Sequence, residues 1–232
     1  MSVEQNYLTI RSEIDQICKD LNRNPKDVLL LAVSKTVGIE KIDEAYNAGC
    51  RDFGENRPDI LVEKYKQRPD YTWHFIGNIQ SRRIPDIVAC SSLIHSVCSL
   101  KHLKKINKEA KSLEKVQKVL IEVNVSGEES KSGFQSSQVI DVLREAEKLE
   151  FVSVVGFMTM APRGNSAIAQ KTFKDLKNLA AETQETLQNE NILVDLDVLS
   201  MGMSEDWHEA LAENATIVRI GRAIFEENFD LL

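Results

Sequence analysis

Two hydrophobic periods take turns along this chain. Tyr7, Ile10, Ile14, Ile17 and Leu21 recur at three- and four-residue spacing. That is the pattern of an amphipathic helix, which Asn24-Pro25 should end. Val28–Val33 is then a continuous apolar run, too short for a helix. It predicts a strand buried on both faces. The alternation continues with a helix around Ile39–Ala48 closed by Gly49, a short strand into Phe53-Gly54-Glu55-Asn56, and a helix opened by Pro58. Strand Thr72–Ile76, a helix around Arg82–Ala89 and strand Leu93–His95 follow. Leu100, Leu103, Ile106, Ala110 and Leu113 mark another helix, and Val119–Val123 a fifth strand. A helix through Val139–Leu149 leads to strand Val152–Phe157, and a long one through Phe173–Leu187 leads to strand Leu196–Leu199. A helix from Asp206 precedes the eighth strand, Thr216–Ile220.

Strands that alternate with helices form parallel sheets with right-handed crossovers. Eight such units in 232 residues fit a closed α/β barrel, the (β/α)8 or TIM barrel, with one extra N-terminal helix. An open doubly wound sheet is the alternative. No linker or low-complexity stretch divides the chain, so residues 1–232 are expected to form a single domain.

Barrels carry function where their strands end, so the strand exits locate the candidate chemistry. Strand one ends at Ser34-Lys35-Thr36, and strand two at Gly54-Glu55-Asn56. Strand seven ends at Ser200-Met201-Gly202-Met203-Ser204; strand eight carries Arg219 and ends at Gly221-Arg222. Lys35 follows a buried strand, where desolvation would disfavour its charged form and leave a nucleophilic amine. A solvent-facing lysine is the plainer alternative. Gly202 and Gly221 would let backbone N–H groups approach an anion, with Ser200 and Ser204 as hydroxyl donors. Barrels commonly hold phosphate at this corner. Two tight turns would also explain these glycines. Arg219 points to the same mouth, or else forms an ion pair with Glu55 or Glu122. An amine, a phosphate cup and an arginine together suggest a phosphorylated aldehyde, and pyridoxal 5′-phosphate (PLP) is the natural candidate.

Composition narrows the function classes. The formal net charge is −7 and no run of Lys and Arg stands out, which argues against nucleic acid. No stretch approaches the roughly 20 apolar residues of a membrane helix. Cys18, Cys50, Cys90 and Cys98 form no CxxC pair. With a polar N-terminus that lacks a signal-peptide core, this usage predicts the cytoplasm. His74, His95, His102 and His208 show no metal-ligand spacing and are expected to be core or surface residues.

The strings AVSK (Ala32–Lys35), FGEN (Phe53–Asn56), WHFIG (Trp73–Gly77), NVSGEESKSGF (Asn124–Phe134), GFMTMAP (Gly156–Pro162), LSMGMSED (Leu199–Asp206) and VRIG (Val218–Gly221) run nearly end to end. In that order and spacing they resemble the PLP-homeostasis proteins, the YggS or PROSC family. The resemblance implies the barrel of the alanine racemase N-terminal domain. It implies a Schiff base between PLP and Lys35, and Arg219 facing the pyridine nitrogen. It implies Ser204, Gly221 and Arg222 around the phosphate with Met203 beside them, and Asn56 and Lys131 at the rim. The family is described as monomers that buffer or deliver PLP without established catalysis, affecting vitamin B6 and amino-acid balance. Delivery would make PLP-dependent apoenzymes transient partners. The chain departs from the family strings at Val37, Arg57-Pro58-Asp59, Arg82-Arg83 and Glu226. A PLP-dependent racemase or decarboxylase of the alanine racemase fold type is the second reading. It would need a further acid–base group from another domain, whereas the barrel leaves only Glu226–Leu232. A Schiff-base aldolase is the third.

Overall fold

The computed structural model describes residues 2–128 and 132–226. Eight parallel strands close into a barrel in chain order, the first pairing with the eighth. They are β1 (Leu29–Val33), β2 (Asp52–Glu55), β3 (Thr72–Phe75), β4 (Leu93–Val97), β5 (Gln117–Glu122), β6 (Val152–Met158), β7 (Val198–Ser200) and β8 (Ile217–Ile220). Around them run α1 (Val3–Asp20), α2 (Ile39–Asn47), α3 (Pro58–Gln67), α4 (Ile84–Cys90), α5 (Leu100–Ser112), α6 (Val139–Ala146), α7 (Ser166–Asn189), α8 (Trp207–Ala212) and α9 (Arg222–Phe225). This is the (β/α)8 barrel expected from the alternation, with α1 as the extra helix.

The local signals explain the boundaries. Ser2 and Gln5 form a reciprocal capping box that starts α1 and satisfies two otherwise orphaned N–H groups. Gly49 adopts φ +107°, and the bonds Cys50 N–H to Ala45 O and Gly49 N–H to Tyr46 O make a Schellman ending for α2. Helix α1 stops at Asp20 rather than at Asn24, because Pro25–Asp27 forms its own 3-10 turn. Strand β7 begins at Val198, two residues later than the apolar run suggests. The Leu196 N–H is taken by the Gln184 side chain of α7, and the Leu199 N–H by the Thr216 hydroxyl, so side chains replace the ladder there.

Alternation divides each strand between two environments. Leu30 and Ala32 of β1, and Val218 and Ile220 of β8, pack outward with the helix layer. Leu31, Leu93, Leu120, Met158 and Ile217 form a second, smaller apolar cluster inside the barrel. That cluster fills only part of the interior, and polar side chains occupy the rest.

Candidate functional site

A cavity of about 510 Å³ opens at the C-terminal ends of the strands. Lys35 from the β1 exit and Asn56 from the β2 exit line it. So do Met203 and Ser204 from the loop after β7, and Arg219, Gly221 and Arg222 from β8 and its exit. The structure thus brings all seven predicted site residues to one cavity. Lys131 lies outside the described residues. Adjacency explains the convergence: β1 and β8 are neighbours, with Ala32 opposite Ile220, so the exits carrying Lys35 and Gly221 stand side by side. An ideal Cβ at Gly221 would lie 2.9 Å from the Val33 carbonyl oxygen. A side chain there would push against the end of β1, and Gly221 itself lines the cavity.

Several local expectations are corrected. Lys35 is exposed, so burial in this chain does not supply the desolvation expected of it. Gly202 does not line the cavity. Its φ of +89° and a Cβ position 2.6 Å from the Ala210 Cβ make it the residue that lets the β7 loop pack on α8. Ser200 is no phosphate donor either, since its hydroxyl points into the barrel, where it meets Arg219 and His95. Asp206 does precede α8, and its carboxylate accepts the Met203 N–H at 2.6 Å, bracing that loop.

Arg219 forms no ion pair with Glu55 or Glu122. Its Nη1 donates to the Ser200 carbonyl and hydroxyl, each at 2.7 Å, and its Nη2 to the Thr159 carbonyl at 3.0 Å. Burial pushes its pKa down to about 10, opposed by the charges of Asp206 and Glu122, so it remains a cation at neutral pH. Burial in turn raises the Glu122 carboxyl above its ordinary value. Glu55 is taken by another cation. Lys64 of α3 donates to Glu55 Oε1 at 2.6 Å and to the Ser34 carbonyl at 2.8 Å. The Ser34 hydroxyl also donates to Glu55 Oε1, at 2.5 Å. This cluster holds the peptide carbonyl immediately before Lys35.

Sequence reasoning missed Lys64, and it missed Met160 and Arg163 at the cavity. It also took the histidines as isolated residues. His74 and His95 are hydrogen-bonded to each other at 2.9 Å. The signal that could have found them is the inward register shared by Asp52, His74, His95, Ser200 and Arg219 on five strands. The Arg222 guanidinium pairs with Glu205, both half-exposed at the rim, and holds that carboxyl below its ordinary pKa.

Residues 8–228 match the family model for the alanine racemase N-terminal domain. The pyridoxal phosphate homeostasis protein of Haemophilus influenzae is 35% identical over 230 residues, covering 97% of this chain and 95% of that protein. The chain belongs to this family. PipY from Synechococcus elongatus, whose structure was solved with PLP bound, superposes with a TM-score of 0.80 at 34% identity, covering 91% of this chain and 99% of PipY. Alanine racemase of Clostridium difficile shares the fold, with a TM-score of 0.75 at 16% identity over 98% of this chain and 58% of the enzyme. No helix among the described residues is long and apolar enough to cross a membrane.

Proposed function

We propose that this chain binds PLP in the cavity at the strand exits and buffers it or delivers it to PLP-dependent apoenzymes. Residues 1–232 would act as one domain and a monomer. The observation that carries the reading is the convergence of Lys35, Arg219 and Gly221 on one cavity. A relative that is 34% identical holds PLP in the same fold. The donor set fits the group. Bound PLP supplies an aldehyde, a phosphate dianion and a pyridine nitrogen. Lys35 would be the residue that holds the aldehyde carbon, through a Schiff base whose formation would release the carbonyl oxygen and the two amine protons as water. The Ser204 hydroxyl and the backbone at Gly221 and Arg222 would hold the phosphate through charge-assisted bonds, with Met203 and Asn56 lining the same cavity. Arg219 is a donor at every practical pH, so it would keep the ring nitrogen unprotonated.

The cavity lining favours a carrier over a racemase. No Tyr, His or Cys lines it among the described residues. Of its carboxylates, Glu205 pairs with Arg222 and Asp206 bonds the Met203 N–H, while Glu226 is exposed at the rim. Moving an α-proton requires a positioned acid–base pair, and the lining offers no second member. Four free cysteines, three of them buried, fit a reducing compartment such as the cytoplasm.

Borohydride treatment of the PLP-loaded protein should fix the cofactor to Lys35, as read by peptide mapping. An adduct elsewhere, or none, would overturn the assignment. Incubation of the same protein with alanine in heavy water should leave the α position protonated by NMR. Deuterium entry at an enzyme-like rate would replace the carrier with a racemase.

A further inference from the structure

A chain of polar groups, buried except for the partly exposed Asp52 at its start, runs through the barrel from its lower end to Arg219. Asp52 stands at the start of β2, and its carboxylate meets His74 Nε2 at 3.1 Å. His74 Nδ1 meets His95 Nε2 at 2.9 Å, and His95 Nδ1 meets the Ser200 hydroxyl at 2.8 Å. That hydroxyl is 2.7 Å from Arg219 Nη1. His95 is fully buried and sits where the β4–β5 register shifts between Ile94 and Val97. Such an irregularity re-aims a side chain.

One arrangement of protons satisfies every contact in this chain and runs in a single direction between its two ends. A guanidinium only donates and an ionised carboxylate only accepts. In this arrangement Arg219 donates to the Ser200 hydroxyl, and the single proton of that hydroxyl goes to His95 Nδ1. His95 must then carry its proton on Nε2 and donate to His74 Nδ1. His74 carries its proton on Nε2 and donates to Asp52. This arrangement places one proton on each imidazole, on the same ring nitrogen. Burial first, with the nearby Arg219 charge adding to it, holds the His95 pKa well below its ordinary value. The chain cannot conduct a proton into the cavity, because Arg219 has no acceptor. What it can do is lock a rotor. Three hydrogen bonds fix three guanidinium hydrogens, leaving the other two, on Nε and Nη2, for the cavity that Arg219 lines.

We propose that Asp52, His74, His95 and Ser200 form a one-directional positioning relay that fixes how Arg219 presents its free N–H groups to the ring nitrogen of the ligand. The ligand half of this inference rests on the PLP reading above; the relay itself does not. The test uses the full-length protein with ring-labelled histidine and nitrogen NMR, first without PLP. His74 and His95 should both appear neutral and protonated on Nε2. Ser200→Ala should change the His95 signals, and Ser200→Thr, which keeps the hydroxyl, should restore them. The second readout uses PLP labelled at the ring nitrogen. Ser200→Ala should shift that resonance and weaken PLP binding about tenfold, the worth of one charge-assisted bond, with recovery in Ser200→Thr. A histidine protonated on Nδ1 or charged at neutral pH overturns the relay whatever PLP does. A ring-nitrogen signal and affinity unchanged by Ser200→Ala overturn its positioning role. Failure of the wild-type chain to bind PLP sinks the carrier reading while the histidine spectra still decide the relay.

Discussion

Two cations are buried among the described residues, and they are treated differently. Lys64 is 6% exposed and Arg219 4%. Lys64 has a carboxylate, the fully buried Glu55, at 2.6 Å. Arg219 has two carbonyls and a hydroxyl, with Glu122 and Asp206 acting only at a distance. A buried charge is tolerated when it is paired and hydrogen-bonded. The Lys64 charge is therefore spent within the protein, on holding β2, α3 and the Ser34 carbonyl together. The Arg219 charge is hydrogen-bonded but not neutralised, and it lines the cavity. The difference separates a cation that builds the site from one that is offered to a ligand.

The sharpest way to break this contrast is to remove each cation in turn. Lys64→Met leaves Glu55 as an unpaired buried charge and should destabilise the fold by about 3–5 kcal/mol, read from denaturant unfolding. Glu55→Leu combined with Lys64→Met should recover most of that loss, because a well-packed apolar pair replaces an ion pair at little net cost. A double variant as unstable as the single one would mean that Lys64 acts through something other than charge pairing.

Arg219→Met should behave the other way. It leaves acceptors at Ser200 and Thr159 without a donor, but it also removes a desolvated charge. The stability change should stay within about 2 kcal/mol. PLP affinity should fall about tenfold to a hundredfold, as expected for a lost charged hydrogen bond, while borohydride still fixes bound PLP to Lys35. A large unfolding effect with unchanged affinity would make Arg219 a structural cation like Lys64.

The sequence reveals one side of this contrast better than the other. Lys35, Gly221 and Arg222 are visible because a continuous apolar run ends just before them, and a strand end in a barrel is a site by construction. Arg219 is visible because it interrupts such a run. Lys64 is not, since on an amphipathic helix it reads as one more solvent-facing lysine until α3 is packed against β2. The histidine chain is hidden for a different reason. Asp52, His74, His95 and Ser200 lie far apart in sequence, and only the register across strands and the irregularity in β4 bring them into line. Ser200 and Gly202 mislead because the loop motif does not say which way each residue turns. Ser200 faces inward, and Gly202 has the positive φ that brings the loop onto α8.

The smallest effect expected is a pH dependence of stability, and it tests whether His95 is neutral as well as buried. Burial holds the His95 pKa below its ordinary value of 6.5. Between that depressed value and 6.5 the unfolded chain binds more protons than the folded one. Stability therefore rises with pH through this window, is complete above about 6.5, and is lost as the pH falls below it. The slope for one such group is at most about 1.4 kcal/mol per pH unit. Glu122 and Asp206 work in the opposite sense, because burial raises their carboxyl pKa values. Their folded forms hold protons longer, so each adds stability as the pH falls through its own range. The wild-type curve is a sum of opposing slopes, and the comparison that isolates His95 is with His95→Gln. Subtracting the two unfolding free energies, measured from pH 7 downward, should leave a difference that shrinks as acid costs the wild type more than the variant. A difference flat in pH would mean that His95 titrates alike in both states, and the neutral tautomer assigned to the chain behind Arg219 would fall with it.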